Sequence, residues 1–212
     1  QMTATVHTTD TSPAELAELM VGRKVLLRVD KKPAVAGDVV LEVNDLRVTD
    51  SKGVVRLKGI SFQVKAGEIL GIAGVAGNGQ SELLEVLGGF GRATGSVKVR
   101  GTAINIASAA QGRHRREAGI SHVPEDRNHL GLIMDFAAWE NMAFGYHHEP
   151  KYIRAGGLMD QSAMLDDTIG KMERFDIRPL NPRLNAQSFS GGNQQKIVLA
   201  REIEHSPDIL LI

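Results

Sequence analysis

Residues 68–87 read EILGIAGVAGNGQSELLEVL, and the order of features in them decides the fold. Glu68 to Val75 is a nearly continuous apolar run bounded by glycine, the pattern of a strand buried on both faces. The stretch Gly74-Val75-Ala76-Gly77-Asn78-Gly79-Gln80-Ser81 then has the spacing G-x-x-x-x-G-x-S of a phosphate-binding loop. Leu83, Leu84 and Leu87 fall on one face of the helix expected next, with Glu82 and Glu85 early in it. Strand, glycine loop and helix in that order turn backbone N–H groups and a helix N-terminus toward an anion. Ser81 would offer a hydroxyl to Mg²⁺. Gln80 stands where the consensus has Lys, and a neutral amide contributes about 1 kcal/mol where a charged donor contributes about 1.5–3. Nucleotide binding weaker by about one order of magnitude follows. By itself the loop equally fits a glycine-rich strand-to-helix turn that binds nothing, and a dinucleotide pattern cannot be laid over residues 77–82.

Working outward, VVLEVNDLRV and VRLKGISFQV between Val39 and Val64 read as an antiparallel pair around the turn Asp50-Ser51-Lys52-Gly53. GSVKVRGTAIN (95–105) reads as a strand pair or hairpin, and AGISHVPE (118–125) as a buried strand. Residues 136–180 show helical patterning broken by Gly156-Gly157 and by Pro179 and Pro182. NQQKIVLAREIEH (193–205) predicts a helix stopped by Ser206-Pro207, and DILLI (208–212) a buried strand. A core strand at the last residue suggests a cut chain. Before Val39, Ser12-Pro13-Ala14-Glu15 predicts a capped helix with Leu16, Leu19 and Met20 on one face and Gly22 as its stop. A linker is expected from Arg23 to Asp38.

The 212 residues carry 25 basic and 25 acidic side chains and no cysteine. A disulfide framework, a Cys-ligated metal and a thiol nucleophile are therefore excluded, and the balance argues against nucleic acid as a partner. The basic run Arg113-His114-Arg115-Arg116 reads as a solvated face. No apolar run approaches the roughly 18 residues a spanning helix needs. His147-His148 lacks the spacing of a metal site, and Trp139, Met142, Phe144 and Tyr146 read chiefly as core, with one or two at a partner surface.

Ser188-Phe189-Ser190-Gly191-Gly192-Asn193-Gln194-Gln195-Lys196, ahead of a helix and then DILLI, resembles the signature peptide of ATP-binding-cassette (ABC) ATPases. Ser190 lies 116 residues after Gly74. Together with Val123-Pro124-Glu125-Asp126-Arg127 and the Gln80 loop, it is similar to the second ATPase half of tandem cassettes that energise bacterial import of simple sugars and nucleosides. The resemblance covers residues 39–212. It implies an α/β P-loop NTPase fold of the ABC type: an antiparallel β subdomain, a parallel core carrying the phosphate loop, and a helical subdomain inserted at about 126–190. The fold would be incomplete at the C-terminus, with the Walker B acids beyond Ile212, and residues 1–38 would be the join from a first cassette.

The implied cofactors are ATP and Mg²⁺. Gly74, Ala76, Gly77, Asn78, Gly79, Gln80, Ser81 and Glu82 would line one nucleotide site, and Ser190, Gly191, Gly192 and Asn193 would act in trans on ATP held by the first cassette. Glu125 would occupy the Q-loop position, sensing metal and the attacking water, with Ser81 and Glu125 as the metal-facing residues. Lys52 replaces the adenine-stacking aromatic. The implied partners are a first cassette, permease subunits and, indirectly, a substrate receptor, at the cytoplasmic face of the cell membrane. ATP hydrolysis coupled to import is the expectation for the parent, with residues 1–212 alone inactive. A regulatory nucleotide-binding module that does not hydrolyse ATP is the alternative.

Overall fold

The computed structural model describes residues 4–21, 33–75 and 77–212. Gly22, Arg23, most of the expected linker and Ala76 of the glycine loop lie outside the described residues. The chain divides into two compact units, Gln1–Val35 and Ala36–Ile212.

In the first unit, helix α1 (Pro13–Val21) begins as its capping residues dictate. The Glu15 N–H donates to Ser12 Oγ at 3.2 Å, so the N-cap hydroxyl satisfies one of the four orphan donors of the first turn. Leu16 and Met20 are exposed.

The second unit opens with β1 (Val39–Thr49) and β2 (Val55–Lys65), paired antiparallel as their alternation predicts. Asp50 ties the turn between them by accepting the N–H groups of Lys52 and Val54, both at 2.9 Å. Strands β3 (Thr94–Val99) and β4 (Thr102–Ala103) complete a four-stranded sheet in the order β2-β1-β3-β4. Helix α2 (Gln80–Gly88) packs Leu83, Val86 and Leu87 into the same core as Leu41, Val43, Leu46 and Val97. Burying a side chain such as Leu46 stabilises the fold by roughly 1.5–3 kcal/mol.

Beyond the sheet, a short helix α3 (Gly112–Glu117) leads into β5 (Ile120–His122), which pairs in parallel with β6 (Ile209–Leu211). Between these two strands lie a wide π-type turn (Arg127–Gly131) and the helices α4 (Ala138–Ala143), α5 (Gln161–Arg174) and α6 (Gly191–Ile203). Their core gathers Met142, Met172, Ile177, Phe189, Ile197 and Val198, all buried.

Two expectations are corrected. Residues 68–75 do not form a strand buried on both faces: Ile69 is 84% exposed and Val75 74%, and the segment is irregular. A strand exists through its ladder hydrogen bonds, and among the described residues β5–β6 is the only parallel pair. The basic run is not a solvated face throughout either. Arg115 is 2% exposed and donates to the carbonyls of Leu87, Val86 and Asn105, satisfying the C-terminal end of α2, whereas Arg113 and His114 are exposed. Of the aromatic and methionine residues at 139–146, Met142 and Tyr146 are core and Phe144 is exposed.

His205 stacks flat on Tyr146 with ring centroids 3.6 Å apart and meets Glu149 Oε1 through Nδ1 at 2.9 Å. Burial, then the Lys171 and Lys151 charges, push its pKa below the ordinary value despite Glu149 and Glu202. His122 is lowered too, chiefly by burial. A folded state that resists protonating these rings binds fewer protons than the unfolded chain below about pH 6.5. Stability is therefore complete above that value and falls as pH drops toward the depressed folded pKa. Thermal melts from pH 7.5 to 5.5 should show a falling midpoint, with a shallower slope in His205→Gln.

Candidate functional site

The glycine loop is anchored at its helical end and open elsewhere. Gly79, the N-cap of α2, has φ of 100°, a left-handed conformation that glycine adopts without strain. A Cβ there would also collide with the Leu57 side chain and lie 2.9 Å from the Arg56 carbonyl oxygen, so only glycine lets α2 seat on β2. Gln80 folds back into the loop. Its Nε2 donates to the Val75 carbonyl at 3.4 Å and fills the space that a Cβ on Gly74 would need. Ser81 is exposed in the first turn of α2, and Gly74, Gly77 and Asn78 are exposed as well.

Glu82 also ties the loop to the sheet. Its carboxylate sits at the positive end of α2, 3.7 Å from the Arg56 Nε, while Arg56 also binds Asp50 at 2.8 Å. This chain of charges ties the loop to the β1–β2 turn that carries the exposed Lys52.

The second glycine segment is built more tightly. Ser190 is the N-cap of α6, and Asn193 Nδ2 donates to its hydroxyl oxygen at 2.9 Å. Asn193 Oδ1 in turn accepts the Arg178 N–H at 2.9 Å, so this side chain orients Ser190 and locks the preceding loop. Gly191 and Gly192 lie exposed in the first turn, and a Cβ on Gly192 would meet nothing within 4 Å. Buried Gln194 donates through Nε2 to the Ala186 carbonyl at 3.1 Å, and Lys196 Nζ donates to the Asp176 carbonyl at 2.6 Å. The result is a rigid helix N-terminus with open backbone amides, suited to a phosphate group.

Glu125 is exposed just after β5 and forms no hydrogen bond or ion pair among the described residues. The neighbouring Asp126 caps the wide turn, accepting the N–H groups of Asn128 at 2.9 Å and His129 at 3.1 Å. The His129 ring against its other oxygen is the main cause of its lowered pKa. No hydrogen bond or ion pair joins Gly74–Glu82 to Ser190–Asn193 among the described residues, so the structure does not assemble the two glycine segments into one pocket. His147 and His148 are exposed with their rings at 84° to each other, and no cluster of metal-binding side chains occurs among the described residues.

Two positioning roles, those of Asn141 and of the Tyr146 hydroxyl, escaped the sequence reading. Asn141 is buried and accepts the Ile133 N–H at 2.8 Å while donating to the carbonyls of Ile133, Phe136 and Ala137, which fixes the loop after the wide turn. Tyr146 donates to Glu202 Oε2 at 2.9 Å and lies 3.2 Å from Ser121 Oγ, so one hydroxyl joins the helical segment, α6 and β5. Burial first, then the Glu202 charge, push its pKa up to about 12. A lone Asn or Tyr in a helical pattern carries no periodic signal that would single it out.

A match to the ABC transporter family extends over residues 57–212 and takes in both glycine segments. The chain belongs to the ABC transporter family. Among its relatives, this cassette is 40% identical over 209 residues to the nucleoside import ATP-binding protein NupA of Lactococcus lactis, covering 98% of this chain and 40% of that one. It is 39% identical over 210 residues to the glucose import ATP-binding protein TsgD13 of Haloferax volcanii, covering 98% and 38%. The chain thus spans about two fifths of the length of these relatives. Its fold matches cbiO1 of Clostridium perfringens, part of the ABC transporter complex cbiONQ, with a TM-score of 0.59 at 22% identity over 82% of this chain and 64% of that one. A dimeric ATP-binding cassette in a post-hydrolysis state with ADP and Pi gives 0.64 at 22% identity over 80% and 72%.

Gln80 is the one polar side chain folded into the phosphate loop, so its charge should set nucleotide affinity there. Isothermal calorimetry on a full-length protein carrying this cassette should show Gln80→Lys tightening ATP binding by about tenfold at moderate salt, a gain of about 1.4 kcal/mol. No gain would mean that the loop does not hold phosphate.

Proposed function

We propose that this cassette is part of the ATP-binding subunit of an importer for a simple sugar or nucleoside, and that its signature segment does the decisive work on ATP. The observation that carries the reading is the contrast between its two glycine segments. Ser190, Gly191 and Gly192 form a preorganised helix N-terminus held by Asn193, whereas the phosphate loop lacks Lys and is filled by Gln80. A preorganised set of donors costs little reorganisation when charge develops on a phosphate. In this reading the signature grips the γ-phosphate of ATP held by a first cassette, and Gln80 and Ser81 line a mainly structural nucleotide site.

Mg²⁺ fits the hard oxygen donors available here. The Ser81 hydroxyl and the Glu125 carboxylate are both exposed and free of competing ion pairs among the described residues, and Mg²⁺ takes few protein ligands alongside phosphate oxygens and water. Bound there, it would neutralise phosphate charge during in-line attack by water. The names of the relatives, which are import ATP-binding proteins, support the transport role and with it a place on the cytoplasmic side, beside permease subunits. No helix among the described residues is long and apolar enough to cross a membrane.

The surface that follows Glu125 suits a protein partner. Leu130, Phe136 and Phe144 are exposed at 62%, 39% and 48% on a segment that Asp126 and Asn141 hold in shape. Exposed apolar and aromatic side chains on a held segment are the composition of an interface core. Single cysteines at exposed positions between Asp126 and Tyr146 should crosslink to the permease, while cysteines on α5 should not; the reverse pattern would move the docking surface elsewhere.

Turnover by the full-length protein with its permease tests the division of labour. Gly191→Asp should abolish it, since a carboxylate at the signature opposes the phosphate. Gln80→Ala should lower it only severalfold. Equal damage from both substitutions would sink the assignment and favour two equivalent sites.

A further inference from the structure

Arg127 holds a guanidinium over the signature, with no counter-ion among the described residues. It ends the run Val123–Arg127 and opens the wide turn, half-buried against α6. Its Nη2 lies 2.9 Å from where a Cβ on Gly191 would stand, and its Nε donates to Gln194 Oε1 over a long 3.4 Å. Among the described residues it forms no ion pair. The adjacent Asp126 is already occupied by the N–H groups of Asn128 and His129 and by the His129 ring. Glu125, the other nearby carboxylate, makes no bond to it among the described residues.

This placement is electrostatically incomplete. A guanidinium has five N–H donors in a rigid fork, and here one is engaged, loosely, with a neutral amide. It is parked beside the N-terminus of a 13-residue helix, whose dipole presents positive potential there. Two positive features side by side repel each other until an anion comes between them. The glycine at 191 fits the same account, because any side chain would crowd the Arg127 fork out of the space above the signature.

We propose that Arg127 is a phosphate-contacting residue of the composite nucleotide site, turning its unspent donors to the γ-phosphate gripped by Ser190–Gly192. The proposal rests on the signature reading above and adds a charge that this reading does not contain. It also gives that charge a lever. Arg127 lies two residues after Glu125 and directly before the segment 128–136, whose ends are exposed, so a γ-phosphate bound by Arg127 would clamp that segment to α6. ADP, lacking the γ-phosphate, would leave it unclamped.

The test compares two nucleotides on the full-length protein: the non-hydrolysable β,γ-imido analogue of ATP, and ADP. Arg127→Gln should weaken the imido analogue by about tenfold and leave ADP within about twofold, with Arg127→Lys in between because charge remains but the fork is lost. Equal weakening of both nucleotides, or no weakening of either, would overturn the proposal, since a purely structural role would not distinguish them. Thermal melting of Arg127→Lys guards against a folding defect, and that variant alone must still show the selective loss. Gly191→Asp separates the two levels of the argument. If it leaves the imido analogue unaffected, the signature reading fails; if it abolishes that binding while Arg127→Gln does not alter it, only the role of Arg127 fails.

Discussion

Glu202 has no exposed surface, and a carboxylate withdrawn from water must be matched by donors or it destabilises everything around it. Its partners come from three directions. Arg201 Nε donates to one oxygen at 2.8 Å, Tyr146 donates to the other at 2.9 Å, and Arg116 approaches to 3.8 Å while its guanidinium lies over the Tyr146 ring. Because those residues sit on α6, on the segment after α4 and on α3, the single carboxylate dictates how these elements meet. Arg201 extends the set by donating to the Asn141 carbonyl, which joins it to the residue shaping the loop after the wide turn. A buried ion cluster of this kind adds little net stability over an apolar core, yet loss of one member typically costs about 3–5 kcal/mol. Its service here is to hold the signature helix in one orientation.

That orientation separates the two glycine segments in kind. At the signature, Asn193 is bonded on both sides and the amides of Gly191 and Gly192 stay open, so donors are fixed before any phosphate arrives. At the phosphate loop, the Gln80 side chain folds onto the loop's own carbonyl. Rigid donors favour the transition state of phosphoryl transfer more than a loop that must first release an internal bond. The proposed assignment of turnover to one segment and a structural role to the other rests on this difference in preorganisation.

Much of this was legible in the residues alone. The alternation of Val39–Val64, the helical face of Leu83 and Leu87 and the stop at Ser206-Pro207 are local patterns, and β1, β2, α2 and α6 form where those patterns lie. The Ser-Gly-Gly segment and the glycine loop were legible as well, because φ preferences and helix-end amides belong to the residues themselves. Local chemistry also sets the Ser12 cap on α1.

What the sequence could not decide depends on partners far along the chain. Residues 68–75 have the composition of a buried strand, but a strand is made by the neighbour that pairs with it, and no described segment takes that place. Arg115 sits in a basic run and is nonetheless buried, because the free carbonyls at the end of α2, some 28 residues earlier, needed a donor. Arg127 was visible within a motif, but its lack of a counter-ion among the described residues could be seen only once Asp126 was bonded elsewhere and Gly191 was brought beneath it. The sequence by itself determined which residues can turn, cap and pack; the tertiary structure alone decided which charges are satisfied, since that depends on distances between residues the chain order keeps apart.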